Sequence, residues 1–135
     1  MTRGTMKILL PNSDRNQAGA TLKAGAVIKA VEHFKLQQDV TIKWANGTHR
    51  HGAYRWRKGV GHVITLSTYY SAEDTSRTLW HELTHALQIE RAASKGKAYA
   101  DWSAEQRRYA YSVRPIEVQA RKFAEHYHPQ LPLAA

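Results

Sequence analysis

The sequence predicts an α+β fold, in which helices cover a small β-sheet. Apolar residues recur at helical spacing in three segments: near the N-terminus, in the middle and near the C-terminus of the chain. Between the first two segments, short stretches alternate apolar and polar residues, which is typical of half-buried strands. Because these stretches follow one another without intervening helices, they favour a three-stranded antiparallel sheet, with a mixed sheet left open.

The N-terminal half contains one predicted helix and then the three predicted strands. Residues 1–16 are expected to be an extended arm, in which residues 7–10 are either a short strand or an ordered part of the arm, and residues 17–38 to be the helix. Asn46-Gly47 is a strong hairpin signal, so we expect the strands on either side of it to pair, and residues 58–61 to turn the chain into the third strand. The strands are predicted at residues 40–44, 52–56 and 62–67.

The next predicted helix, from Ala72 to Ala93, carries the most informative motif in the chain. A capping box at residues 71–74 begins it, and Gly96 ends it. Residues 81–85 read His-Glu-Leu-Thr-His, an H-E-x-x-H motif. His81 and His85 lie about one helical turn apart on one face, so both can bind one metal ion. Glu82, about 100° round the helix, can act on a metal-bound water without being a ligand.

A catalytic zinc site needs a third protein ligand. The metzincin pattern, with a third histidine six residues after the second, is absent. The predicted C-terminal helix instead begins with Pro115, which suits a first helical turn, and ends before Pro129. Its Glu117 shares a face with Ala120 and Ala124, whose small side chains allow close packing on the motif helix. Less well placed candidates for the third ligand are Glu90, Asp101, Glu105 and His126.

The H-E-x-x-H motif and the pattern Glu117-x-x-Ala120-x-x-Phe123-Ala124 together resemble the gluzincin metallopeptidases, in particular the small single-domain minigluzincins. The second pattern is also similar to the zinc-binding glutamate helix of ImmA/IrrE-like peptidases. The resemblance covers roughly residues 52–127. It implies a Zn²⁺ ion held by His81, His85 and Glu117, with Glu82 as general base and acid in peptide-bond hydrolysis.

The resemblance does not identify the residues that orient the zinc ligands, and it leaves the substrate-binding strand as an expectation. Larger gluzincins carry an acidic residue shortly after the glutamate that orients a histidine, and this chain has none there, so the residues that orient the ligands are unidentified. In gluzincins the strand before the motif helix is an edge strand that pairs with substrate, which implies this role for residues 63–67. An internal strand without a substrate role is the alternative.

Stabilising a tetrahedral oxyanion requires a further hydrogen-bond donor besides the metal. Tyr109, Tyr111 and Arg114 lie just before the C-terminal helix. Tyr111 is the first choice, because it lies six residues before Glu117, where a chain turning into that helix can pass the metal. The alternative for both tyrosines is that they are half-buried packing residues.

The chain is strongly basic, with 20 Lys and Arg against 11 Asp and Glu, a formal net charge of +9. Such a charge attracts nucleic acids and other anionic partners. Residues 48–58 interleave basic with aromatic side chains, although strand alternation favours Tyr54 and Trp56 pointing inward. The alternatives to a peptidase are therefore a basic nucleic-acid-binding module and a non-proteolytic zinc-binding protein, each with a structural H-E-x-x-H.

Length and composition limit the remaining possibilities. At 135 residues the chain is expected to be one zincin-like domain spanning residues 1–135, with residues 128–135 as a tail. It contains no cysteine, which excludes disulfides and thiolate ligands, and no stretch apolar enough for a membrane span. The N-terminus lacks the apolar region of a secretion signal. We expect a cytoplasmic monomer that acts on peptide or protein substrates, with release by a non-classical route left open.

Overall fold

The computed structural model describes residues 7–11, 20–46 and 50–135, and it confirms the α+β class. These residues form four strands, four α-helices and one short 3₁₀ helix. The strands are β1 (Ile8–Leu9), β2 (Val40–Ala45), β3 (Gly52–Arg57) and β4 (Gly61–Ser67). The helices are α1 (Ala24–His33), α2 (Ala72–Ser94), α3 (Tyr99–Gln106) and α4 (Pro115–Tyr127), with the 3₁₀ turn at Tyr111–Val113.

The sheet has four strands in the order β1-β2-β4-β3, so the prediction of three strands is wrong by one. It is mixed, because β1, β2 and β4 run parallel while β3 is antiparallel to β4. The predicted hairpin between β2 and β3 is also wrong: Gly47 lies outside the described residues, but the strands on either side of it are not neighbours. The turn at residues 58–61 does join β3 to β4 as predicted.

The burial of each strand explains this order. Six of the seven residues of β4 are buried, as expected for a central strand with β2 and β3 on either side of it. Strand β3 instead alternates half-buried with exposed positions, and its exposed side chains Arg55 and Arg57 suit an edge. The expectation that residues 63–67 form the edge strand is therefore wrong, and β3 takes that position. A local turn signal cannot report which strands are buried on both faces.

The N-terminal helix is shorter than residues 17–38, and residues 17–19 lie outside the described part. Residues 21–23 are extended because they pair with the end of the chain: Lys23 N–H donates to the Leu133 carbonyl (2.9 Å), and Leu22 forms a bridge with Ala134. Residues 128–135 are consequently not a loose tail. Leu133 is fully buried, and its N–H donates to the Ser76 hydroxyl on α2 (2.8 Å).

The helices pack on one face of the sheet around a shared apolar core. Val27 and Val31 of α1 meet Leu79 and Leu83 of α2 there, together with the inward side chains of β2 and β4. The segment between α2 and α4, for which no helix was predicted, contains α3, which carries Asp101 and Glu105. In the described residues, no helix has both the length and the apolar character required to cross a lipid bilayer.

Candidate metal centre

The motif residues lie in the middle of α2, whose ends are fixed by local signals in the sequence. The Ser71 hydroxyl accepts the Asp74 N–H (3.2 Å) as an N-cap, and Gly96 follows the helix with a φ of +80°, a conformation that glycine adopts without strain. The predicted boundaries are thus confirmed to within one residue. Because α2 packs between the sheet and α4, Glu82 and His85 are buried, while His81 is partly exposed.

Helix α4 brings Glu117 to the two histidines. It starts at Pro115, as predicted, so Glu117 lies in the first turn. The three buried residues of α4 are Glu117, Ala120 and Ala124, which form the predicted face. The small side chains of Ala120 and Ala124 let the backbone of α4 approach α2 closely. This close packing places the Glu117 carboxylate beside the H-E-x-x-H motif.

The ligand atoms of His81, His85 and Glu117 converge on one point. Glu117 Oε1 lies 2.8 Å from His81 Nε2 and 3.1 Å from His85 Nε2, and one candidate ligand atom from each residue lies within 4.8 Å of the others. Ligand atoms about 2.0–2.1 Å from a tetrahedral zinc ion lie about 3.3 Å apart, so small side-chain shifts are enough to admit the ion. Two imidazoles and a carboxylate are also ligands that zinc prefers.

The electrostatics of the three residues fit a site that holds a cation. Burial acts to raise the pKa of Glu117, but the hydrogen bonds to His81 and His85 outweigh it and hold the pKa well below its ordinary value. Burial acts to lower the pKa of His85, yet its contact with Glu117 raises it overall. Positive charge between these groups is therefore stabilised, and a metal ion can supply that charge in place of a proton.

Glu82 lies beside the convergence point without being part of it. Its Oε1 is 3.9 Å from His85 Nε2, beyond hydrogen-bonding distance. Its side chain is almost fully buried, and this burial raises its pKa despite the two nearby histidines. The carboxylate is thus held next to the site, where the spacing of the motif predicts it.

Gln88, which the sequence did not single out, orients His85. The Gln88 amide nitrogen donates to the Ile116 carbonyl (3.0 Å) and to Gln119 Oε1 (2.7 Å), so its oxygen faces His85 Nδ1 at 2.8 Å and accepts from it. A proton fixed on Nδ1 leaves the lone pair of Nε2 directed at the site. Gln88 lies three residues after His85 on the same helix face, a spacing that offered the signal.

A second buried polar group supports the wall of the site. The pKa of Tyr54 is raised by burial, so its hydroxyl keeps its proton and donates to His62 Nδ1 (2.7 Å). His62 Nε2–H in turn donates to Glu90 (2.6 Å). Glu90, one of the alternative third ligands, therefore belongs to this separate network. The ring of Tyr54 lies 6.1 Å from that of His85, centroid to centroid.

The site opens into a cleft between β3, α2, α3 and α4. The cleft has two parts. The first, of about 630 Å³, is lined by His81 and Glu82, and the second, of about 250 Å³, is lined by Glu82, His85 and Glu117. Gly52 at the start of β3 lines both, and a Cβ there would lie 2.6 Å from Thr78 Cγ2 and 3.6 Å from Glu82 Cγ. The edge strand can pass this close to α2 because residue 52 has no side chain.

Tyr111 lines both parts of the cleft, and Arg114 lines the second. The pKa of Tyr111 is raised by partial burial and by the charges of Glu117 and Glu82, so its hydroxyl remains a hydrogen-bond donor. Its side chain is 56% exposed, which leaves it accessible from the cleft. Tyr109, Asp101, Glu105 and His126 line neither part of the cleft.

No protein-family model matches the sequence, and neither a curated protein nor a solved structure is detectably similar to this chain.

Proposed function

We propose that this protein is a zinc-dependent metallopeptidase of the gluzincin type. The observation that carries the proposal is the convergence of His81, His85 and Glu117, two imidazoles and one carboxylate from two helices, at the floor of an open cleft. A bound zinc ion lowers the pKa of its water to about 7 and polarises the carbonyl that is attacked. The protein's own groups supply the proton transfer, the orientation and the substrate contacts.

Glu82 is the general base and acid in this proposal. Its carboxylate is next to the ligand atoms but outside hydrogen-bonding distance of His85, so it is free to take a proton from the attacking water. It then returns that proton to the leaving amine. The Tyr111 hydroxyl, protonated and facing the cleft, donates to the oxygen of the attacked carbonyl as negative charge develops on it.

An extended peptide has a place to bind along β3. This strand is at the edge of the sheet, and its first residues, Gly52, Ala53 and Tyr54, line the cleft beside Glu82. Main-chain hydrogen bonds to an edge strand give affinity with little demand on the peptide sequence. A peptide added to β3 passes over the site with its carbonyl groups within reach of Glu82 and Tyr111.

The test is hydrolysis of a labelled casein-type substrate by the zinc-loaded protein and by Glu82→Gln. The amide keeps the size of the side chain but cannot take the proton, so we expect unchanged zinc content and a rate lowered about 100-fold or more. Glu105→Gln, an exposed glutamate outside the cleft, is the matched control and should cleave normally. Equal activity of Glu82→Gln and the unchanged protein would refute the role of Glu82.

A further inference from the structure

The outer face of the sheet, opposite the helices, carries a concentration of positive charge. Residues 40–67 contain five Lys and Arg and no Asp or Glu. Among the described residues, the acidic side chains belong to the helices, apart from Asp39 before β2. The acidic side chains are therefore concentrated on the helices, which also carry cations, whereas the strands carry cations alone.

Strand register places three of these cations on the same face of the sheet. Tyr54 and Trp56 point toward the helices, where Tyr54 bonds to His62 and Trp56 Nε1–H donates to Gln38 (2.7 Å). Arg55 and Arg57 alternate with them and point away. On the other side of β4, Lys43 is paired with Thr65, which in turn is paired with Ala53 of β3. We call Lys43, Arg55 and Arg57 the basic sheet face.

The basic sheet face is open and its charges are not neutralised within the described chain. All three side chains are exposed, and none of them forms an ion pair with a described residue. They line a shallow concavity of about 270 Å³, whose floor includes Val63 and Thr65 and whose rim includes Arg50. Val63 is 7% exposed although no described helix covers this face, in keeping with the long basic side chains extending across it.

We propose that the basic sheet face binds the phosphate backbone of a nucleic-acid duplex, independently of base sequence. Two guanidinium groups and one ammonium group on one surface match the regular negative charge of a duplex. The aromatic rings of β3 point inward, so they are not available on this face to stack on the bases of a single strand. Among the described residues, Leu9, 52% exposed, is the one large apolar side chain that is exposed on this face. A single apolar side chain provides little surface to insert into a membrane.

The test is binding of the whole protein to a fluorescent DNA duplex of about 20 base pairs between about 50 and 200 mM salt. We expect a log–log salt slope of about −3, which corresponds to three or four phosphates contacted. The triple variant Lys43→Ala, Arg55→Ala, Arg57→Ala should bind more than about tenfold more weakly at the lower salt concentration and lose most of the slope.

A matched variant separates this face from net charge alone. Lys29→Ala, Arg91→Ala, Lys95→Ala removes the same charge from exposed positions on and next to α1 and α2. It should bind almost as the unchanged protein does.

Equal weakening in both triple variants, or a flat salt dependence of the unchanged protein, would overturn the proposal. Tighter binding to phosphatidylserine vesicles than to the duplex, lost in the sheet-face variant, would overturn it in favour of a membrane surface. The salt slope is measured on the unchanged protein, so this part of the test does not depend on whether a variant folds.

Discussion

At the scale of single residues, Gln88 links the two halves of the candidate metal centre. It accepts a hydrogen bond from His85 and donates two to the first turns of α4, the helix that carries Glu117. One side chain therefore fixes both the orientation of a ligand and the position of the helix that supplies another. Hydrogen bonds of this kind around a metal ligand commonly change metal affinity by about 10–100-fold.

Gln88→Leu removes these hydrogen bonds at nearly constant volume. We expect zinc affinity to fall about 10–100-fold, measured by competition with a zinc chelator, because His85 loses the acceptor that fixes its tautomer. Gln88→Glu keeps an acceptor for His85 Nδ1 and should recover part of that affinity. Gln119→Ala is the control, since it removes one partner of Gln88 and leaves His85 untouched. Unchanged affinity in Gln88→Leu would show that Gln88 does not orient the ligand.

The residues that carry chemistry were easier to predict than those that orient them. Helical geometry determines that His81 and His85 share a face, and the Pro115 start with small residues beside Glu117 indicates close helix packing. Both inferences need only neighbouring sequence. The spacing of Gln88 from His85 is a local signal, but Ile116 and Gln119, which fix the orientation of its amide, lie about thirty residues away, and no local pattern predicts those contacts.

At the scale of secondary-structure elements, the site depends on a close contact between β3 and α2. Gly52 allows it, because a Cβ at this position would meet the methyl group of Thr78 at 2.6 Å and approach Glu82. A side chain must therefore push the edge strand away from α2 or displace Thr78. The same shift would change the width of the cleft beside Glu82.

Gly52→Ala should lower the free energy of unfolding by about 1–3 kcal/mol, because the added methyl group overpacks the contact. Urea denaturation followed by circular dichroism measures this. Gly25→Ala is the matched control: a Cβ there meets nothing within 4 Å, and alanine favours α1, so stability should hold or rise. If Gly52→Ala were as stable as Gly25→Ala, the contact would not constrain the strand.

The extents of β2, β3, β4 and α2 were predictable, but those of α1 and α3 and the order of the strands were not. Alternation located β2, β3 and β4 to within one residue, and capping signals located α2. The order β1-β2-β4-β3 depends on which strands bury both faces, a property of the assembled sheet. The extended segment at residues 21–23 likewise depends on pairing with residues more than a hundred positions later.

At the scale of the whole molecule, the candidate metal centre joins parts of the chain that are distant in sequence. His81 and His85 belong to α2, which packs on the sheet, and Glu117 belongs to α4, which leads into the buried segment at residues 128–135. On our proposal, a metal ion held by both helices would bind the folded chain and not the unfolded one. Binding would therefore stabilise the entire fold.

Zinc should raise the melting temperature of the protein. At a free zinc concentration about a thousand times Kd, the stabilisation is about 4 kcal/mol, which corresponds to a rise of about 14 °C in melting temperature for a chain of this size. Differential scanning calorimetry with and without chelator measures the shift. His81→Ala should reduce it strongly. A shift equally large in His81→Ala would mean that zinc stabilises the protein from another site.

The central claim is that Glu117 completes a three-residue zinc site, and zinc content after dialysis against buffered zinc tests it most directly. We expect one zinc ion per chain in the unchanged protein and in Glu82→Gln, and little or none in Glu117→Ala at the same free zinc concentration. Glu125→Ala, an exposed glutamate on the same helix, controls for the loss of a carboxylate from α4 and should retain the ion. A folded Glu117→Ala variant that keeps one zinc ion with unchanged affinity would contradict the account.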